Sequence, residues 1–172
     1  KSPMPVHRLD AATGGLVIAA KCRRAQVVLG QRFETREVKK RYRAVVQGLV
    51  TDAGRVTSQI DGRDSDTEFM PVRHVPSIKN EYLTLVDLFP HTGRMHQLRR
   101  HMSGLGHAIA GDTLYGEKGN VYKGKGLFLA AVELWFAHPV TGVPVNVKIN
   151  DPHKFGSLLD REERRWHRLH GS

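Results

Sequence analysis

Strand-forming runs recur along most of this chain, and only two or three helical periods interrupt them. Residues 39–47, K-K-R-Y-R-A-V-V-Q, alternate so that Lys40, Tyr42, Ala44 and Val46 share one face of a strand and Arg41, Arg43 and Val45 the other. Further strands are expected at Gly15–Ala20, Arg55–Ile60, Phe69–Val75, Tyr82–Phe89, Leu127–Ala131, Glu133–Ala137 and Val143–Ile149. A helix is expected from Arg23 to Glu37, with Ala25, Val28, Leu29 and Phe33 as its apolar stripe. A second should run from a Thr92 N-cap to about Ser103, using Leu98, Met102 and Leu105 as its apolar side, and a third from Asp160 to His167. Gly111–Gly126, rich in Gly and Lys, reads as a mobile surface loop. Such a series of strands with few helices indicates an α+β domain. With 172 residues, no linker and no repeat, one domain over residues 1–172 is expected.

Charge narrows the function. The formal net charge is +10, and residues 1–50 hold eleven Lys/Arg against three Asp/Glu. A concentrated basic excess suits a polyanion, because phosphate contacts supply most sequence-independent affinity. The alternative is a solvated basic surface kept for solubility. No apolar run is long enough to span a membrane. Cys22 is the only cysteine, so no internal disulfide forms, which fits a reducing compartment such as the cytoplasm. Ten histidines invite a metal reading, but His96 and His101 are five apart and no Cys cluster or H-E-x-x-H run occurs; no metal and no cofactor are expected.

Three runs carry the chemistry: His7-Arg8-Leu9-Asp10 followed by Thr13-Gly14-Gly15; Lys40-Arg41-Tyr42; and Thr92-Gly93-Arg94-Met95-His96-Gln97-Leu98-Arg99. Singly each is weak. An Asp before small residues is usually a turn or cap, and a strand tyrosine usually packs on the core. Together, and in this order, they resemble the RluA/RsuA-type RNA pseudouridine synthases, which carry H-R-L-D, K-x-Y and T-G-R-x-H-Q-[LI]-R runs. A late L-x-L-x-A…H-P-x-[TG] segment is matched by Leu127-Phe128-Leu129-Ala130-Ala131 and His138-Pro139-Val140-Thr141.

The resemblance implies a bent, mixed but mostly antiparallel sheet with a few flanking helices and a central active-site cleft. It implies isomerisation of specific uridines in tRNA or rRNA by a monomer. Asp10 would act on the flipped uridine, at C1′, at the base or on the sugar; Arg94 would pair with it, and Tyr42 would stack on the uracil and assist proton removal at C5. Arg8 would fill the gap left by the flipped base, and Leu127 and Leu129 would wall the pocket. Lys40 from the K-x-Y run belongs to the substrate site, and His96 and Arg99 would contact phosphates or brace the loop. The chain begins six residues before His7, where family members carry further strands and an N-K-P-x-G segment, so an N-terminal truncation is expected. Gly14 replaces the commoner Ser, Ala130 a frequent His, and Ala108 a frequent Pro. Two other readings compete: an RNA-binding module of the same fold without activity, and a His-dependent ribonuclease.

Overall fold

The computed structural model describes residues 2–117, 122 and 124–171. Its elements run β1 (Met4–Pro5), β2 (Gly14–Gly15), β3 (Ala19–Ala20), α1 (Arg23–Glu34), β4 (Lys39–Gln47), β5 (Gly54–Val56), β6 (Thr67–Ser77), β7 (Glu81–Pro90), α2 (Gln97–Gly104), β8 (Leu129–Ala137), β9 (Pro144–Lys148) and α3 (His153–His170). The main sheet has the order β2-β8-β4-β7-β6-β5, with β9 also on β8. All its pairings are antiparallel except β2 with β8. This is the α+β architecture expected.

Central strand β4 is flanked by β7 and β8, so Ala44, Val45 and Val46 are fully buried despite the alternation of the strand. They share one core with Leu83, Val86 and Leu88 of β7, Leu98 and Met102 of α2, and Phe155, Leu158 and Leu159 of α3. Each large apolar side chain so buried contributes about 1.5–3 kcal/mol, which makes this core the rigid mount for everything described below. The second face of β4 carries ions. Arg41 reaches Asp87 at 2.9 Å and Glu133 at 2.6 Å, and Arg43 lies 3.0 Å from Asp87 and 3.4 Å from Asp151. These arginines therefore brace strands rather than face solvent.

Several boundaries differ from expectation. The strand expected over Gly15–Ala20 is only two short pairings, β2 on β8 and β3 on β1, and Val17 is exposed. The cause is Gly15, whose φ of +108° turns the chain off β8. α1 stops at Glu34, three residues early, because Arg36 takes φ +63° while Thr35 N–H and Glu37 N–H donate to Gln31 O and Arg32 O. Only Leu29 of its stripe is buried; Ala25, Val28 and Phe33 are half-buried. β5 covers three residues instead of six.

The β6–β7 hairpin is longer than read at both ends, turning at 78–80. Leu105, expected on the apolar side of α2, is exposed. The two strands expected from Leu127 to Ala137 are one strand, β8, with a register shift opposite Arg41 and Tyr42; an inserted residue resembles a strand break in sequence. α3 begins at His153, earlier than expected, and runs to His170. The Gly111–Gly126 segment is not loose where it is described. Gly111 and Asp112 are buried, and a Cβ on Gly111 would collide with Gly126 O. Residues 118–121 and 123 lie outside the described residues.

The register explains how the first motif is moored. Ala131 of β8 pairs with Gly15 on one side and Tyr42 on the other, so the Asp10 segment is pinned one strand away from the tyrosine. A Cβ at Gly15 would sit inside the Ala131 backbone, whereas one at Gly14 meets nothing within 4 Å. Gly15 is thus obligatory and the Gly14 departure is permitted. We expect Gly15→Ala to lose at least about 1–2 kcal/mol from its backbone conformation alone, with the clash adding to that. Gly14→Ser should stay within about 0.5 kcal/mol of the parent. Urea unfolding of both variants checks this, and an unaltered Gly15→Ala midpoint contradicts it.

Candidate active site

The three motif runs meet in one cleft of about 580 Å³, lined among others by Arg8, Asp10, Thr13, Lys40, Tyr42, Thr92, Arg94, Met95, His96, Arg99 and Leu129. A larger groove of about 1010 Å³ adjoins it at Lys40, Pro90, Thr92 and Gly93. Only the smaller cleft brings together Asp10, Tyr42, His96 and Arg99.

Asp10 sits in a turn closed by Thr13 N–H donating to Asp10 O at 2.8 Å. His7 holds this segment from behind: its Nε2 accepts from Ile18 N–H at 2.9 Å, and its ring stacks on Phe33 at 4.4 Å. Burial, then the charge of Lys40, lowers the His7 pKa, so it stays a neutral acceptor. His7 thus braces the segment that carries Asp10. Arg8 is exposed at the cleft, and its guanidinium has no partner among the described residues. That leaves it available to a ligand.

Tyr42 stands on the cleft face of β4 with Lys40, beside the register shift. Burial, reinforced by Asp10, pushes its phenol up to about 12. The hydroxyl is therefore protonated at neutral pH and enters any reaction as an O–H, not as a phenolate. Burial also holds the Lys40 ammonium below its usual range; Lys40 Nζ lies 5.8 Å over the Phe33 ring.

The Thr92–His96 run is a loop, not the first turn of a helix. α2 starts at Gln97, and His96 adopts a left-handed conformation with φ 53°. Gln97 shapes the loop. Its Oε1 accepts from Thr92 Oγ1–H at 2.6 Å and from Arg94 N–H at 3.1 Å; its Nε2 donates to Asp66 O and Thr67 Oγ1 at 2.9 Å. A left-handed residue breaks the periodicity that made Thr92 look like the cap. Gln97 itself gave no signal beyond its place in the run.

Arg94 is not the partner of Asp10. Its Nε donates to the backbone oxygen of Asp64 at 3.0 Å, and it forms no ion pair with Asp10. His96 is nearest in charge, its Nε2 lying 4.0 Å from Asp10 Oδ2. Arg99 lines the same cleft as Asp10; hydrogen bonding to Asp112, its main partner, raises the Arg99 pKa, and the Asp10 charge adds a minor contribution. Arg99 is buried, with Nε and Nη2 each 2.8 Å from a different oxygen of Asp112, so it braces the cleft wall and is not spread along phosphates. Arg99 projects from the first turn of α2, which sets its direction; Arg94 is in the loop before it. The Asp112 pair fixes the Arg99 guanidinium in the cleft wall.

The two late leucines separate. Leu129 lines the cleft, and Leu127 lies in the hydrophobic core away from it. Sequence reasoning missed Asp112 and Tyr115, which lie in the segment read as a mobile loop. The signal was present in Gly111-Asp112…Tyr115-Gly116: two glycines bracketing a carboxylate and an aromatic mark a tight turn. Among the described residues no group of three His, Cys, Asp or Glu side chains is placed to hold a metal ion. No described helix is long and apolar enough to cross a membrane.

Comparison with known proteins bears on this arrangement. Residues 1–104 match the family model described as RNA pseudouridylate synthase. The chain is 38% identical over 154 residues to the dual-specificity RNA pseudouridine synthase RluA of Haemophilus influenzae, covering 80% of this chain and 68% of that one. It is 34% identical over 171 residues to tRNA pseudouridine synthase C of Pasteurella multocida, covering 83% and 70%. It is 36% identical to the RNA pseudouridine synthase YhcT of Bacillus subtilis, but spans only 48% of that protein's length. Among solved structures, human RNA pseudouridylate synthase domain containing 1 superposes with a TM-score of 0.78 at 28% identity, over 88% of this chain and 70% of that one. Human RNA pseudouridylate synthase domain containing 4, at 24% identity and a TM-score of 0.74, shares the fold. The order of the motifs, their convergence in one cleft and these matches agree: the chain belongs to the RNA pseudouridylate synthase family.

Proposed function

We propose that this chain converts specific uridines of tRNA or rRNA to pseudouridine, with Asp10 as the reacting carboxylate. The observation that carries the reading is the meeting of Asp10, Tyr42 and Arg99 in one cleft from segments far apart in sequence. The reaction is an isomerisation. The N1–C1′ bond breaks, a C5–C1′ bond forms, the C5 proton leaves and N1 is protonated, so no oxidant or energy source is consumed. Asp10 initiates it at the ribose or the base. Tyr42, protonated and half-buried, offers its ring to the uracil face and its hydroxyl as a proton carrier. Exposed Arg8 fills the space vacated by the flipped nucleotide, offsetting an unstacking cost of about a few kcal/mol. Arg94 serves the RNA from the cleft rim, and His96 the carboxylate. The unit acts as a monomer, without metal or cofactor, as one catalytic domain in a reducing, cytoplasm-like compartment. Incubation of the purified chain with transcribed tRNA and rRNA fragments, followed by pseudouridine mapping, tests the reading. RNA binding without product would instead mark an inactive binding module.

RNA affinity should fall steeply with salt, each neutralised phosphate adding about −0.7 to −0.9 to the log–log slope. The contributors are Arg8, Lys39 and Lys40, at or beside the cleft, and not Arg41 or Arg43, which are tied up in the ion network of β4. Lys39→Ala should flatten the slope by about one such unit and weaken all RNAs alike, since phosphate contacts carry no sequence information. A titration series between low and physiological salt checks it; a slope unchanged by Lys39→Ala removes Lys39 from the RNA track.

A further inference from the structure

The two groups that face Asp10, His96 and Arg99, rest on the same side chain. Tyr115 OH is 2.9 Å from His96 Nδ1, and the two rings meet edge to face at 5.6 Å. The Arg99 guanidinium lies 5.1 Å over the Tyr115 ring. Tyr115 does not line the cleft. It is itself fixed at both ends of its peptide unit, its N–H donating to Asp112 Oδ1 at 3.0 Å and its carbonyl accepting from Ser103 Oγ–H at 2.7 Å. Asp112 is thus shared, gripping the Arg99 fork and the Tyr115 backbone with one carboxylate.

We propose that Tyr115 is a positioning residue of this enzyme: its hydroxyl fixes His96 as the Nε2–H tautomer aimed at Asp10, while its ring holds the Arg99 guanidinium behind the same carboxylate. The inference rests on the reading of Asp10 as the reacting group. The chemistry is that of any imidazole with two different neighbours: the hydrogen bond at one nitrogen decides which nitrogen carries the proton. An O–H donated to Nδ1 leaves the proton on Nε2, and Nε2 is the nitrogen 4.0 Å from Asp10 Oδ2. His96 needs this support. It sits at φ 53° between a loop and α2, a conformation that a β-carbon residue holds only when its surroundings fix it. The tyrosine hydroxyl supplies a side-chain anchor there, and the ring lies against Arg99 one helical turn on.

Tyr115→Phe separates the two functions, because it keeps the ring and removes the hydroxyl. Turnover on a tRNA substrate should fall about tenfold or more, by analogy with the loss seen when a metal-bound histidine loses its orienting partner. KM and the thermal midpoint should stay within about twofold and a few degrees of wild type. Tyr115→Leu removes the ring as well and should fall further. The direct readout is the ring ¹⁵N spectrum of the full chain without RNA. Wild-type His96 should show a protonated, pyrrole-type Nε2 and a bare Nδ1; in Tyr115→Phe the two should average towards a tautomer mixture. A Tyr115→Phe protein with wild-type turnover, or with an unchanged His96 tautomer, overturns the proposal. The spectrum does not depend on catalysis. A chain inactive on every RNA therefore defeats the functional reading, while the tautomer measurement still decides the role of Tyr115.

Discussion

Asp10→Asn will abolish pseudouridine formation while RNA affinity stays within a few-fold of wild type. The amide keeps the size of the carboxylate and its half-exposed position, but it has neither the charge to react nor the basicity to take a proton. Little phosphate contact is lost, because Asp10 opposes rather than supports the basic surface. The turn should also survive, since it is closed by the backbone of Asp10, not by its side chain. Filter binding and pseudouridine mapping on the same RNA check the two halves separately. Near-wild-type turnover in Asp10→Asn would falsify the assignment of the reacting group. A large fall in affinity would place Asp10 in RNA recognition.

Arg99→Ala should produce the largest loss of stability. The Asp112 side chain is fully buried, and without Arg99 it keeps only the N–H groups of Leu114 and Tyr115. Removing one member of a buried ion pair costs about 3–5 kcal/mol, because the other charge is left uncompensated. The effect has a pH signature. Burial tends to raise the Asp112 pKa, but Arg99 and the two N–H groups outweigh it and hold the carboxyl below its ordinary value. A depressed folded-state pKa gives stability that is present above the unfolded value near 4 and lost as pH falls through the folded value. The difference between wild type and Arg99→Ala should therefore shrink as pH is lowered from 7 towards 3. Denaturation midpoints at several pH values measure it. A difference independent of pH would mean that the loss is one of packing, not of charge. Turnover should also fall, because the positive charge behind Asp10 goes with the side chain. Arg94→Ala, by contrast, leaves a backbone oxygen at the surface without its donor and should cost little stability, although the resemblance made Arg94 the partner of Asp10.

What the sequence determined by itself was chemistry and order. Asp10, Tyr42 and the Thr92–Arg99 run could be picked out because their runs, in this order, resemble the motifs of the RNA pseudouridine synthases; β4 could be read from the alternation of residues 39–47, and β6 and β7 from apolar, strand-forming runs, all of them local properties of the chain. The α+β class followed from the same local patterns. Which arginine stands behind the aspartate was not local. Arg94 and Arg99 are five residues apart in one motif, and a left-handed residue at His96 sends the first towards Asp64 and starts the helix that carries the second into the wall. The basic residues of β4 divided in the same way: Lys40 faces the cleft, while Arg41 and Arg43 neutralise carboxylates from β7, β8 and the segment after β9. Formal charge counts them alike; only the partners brought in by strand pairing distinguish a cation offered to RNA from one used by the fold. Leu127 and Leu129, identical in type and two residues apart, separate because β8 begins between them. The Gly111–Gly116 turn is the clearest case. Its glycines and polar residues have the composition of a loose loop, and it becomes a rigid support only because Asp112 finds Arg99 on a helix that precedes it in the chain, and Tyr115 finds His96 at the entry to that helix. Tertiary contacts decide such matters because a side chain's charge and hydrogen-bonding capacity belong to its sequence, whereas the groups that satisfy them belong to whichever elements the core packs alongside.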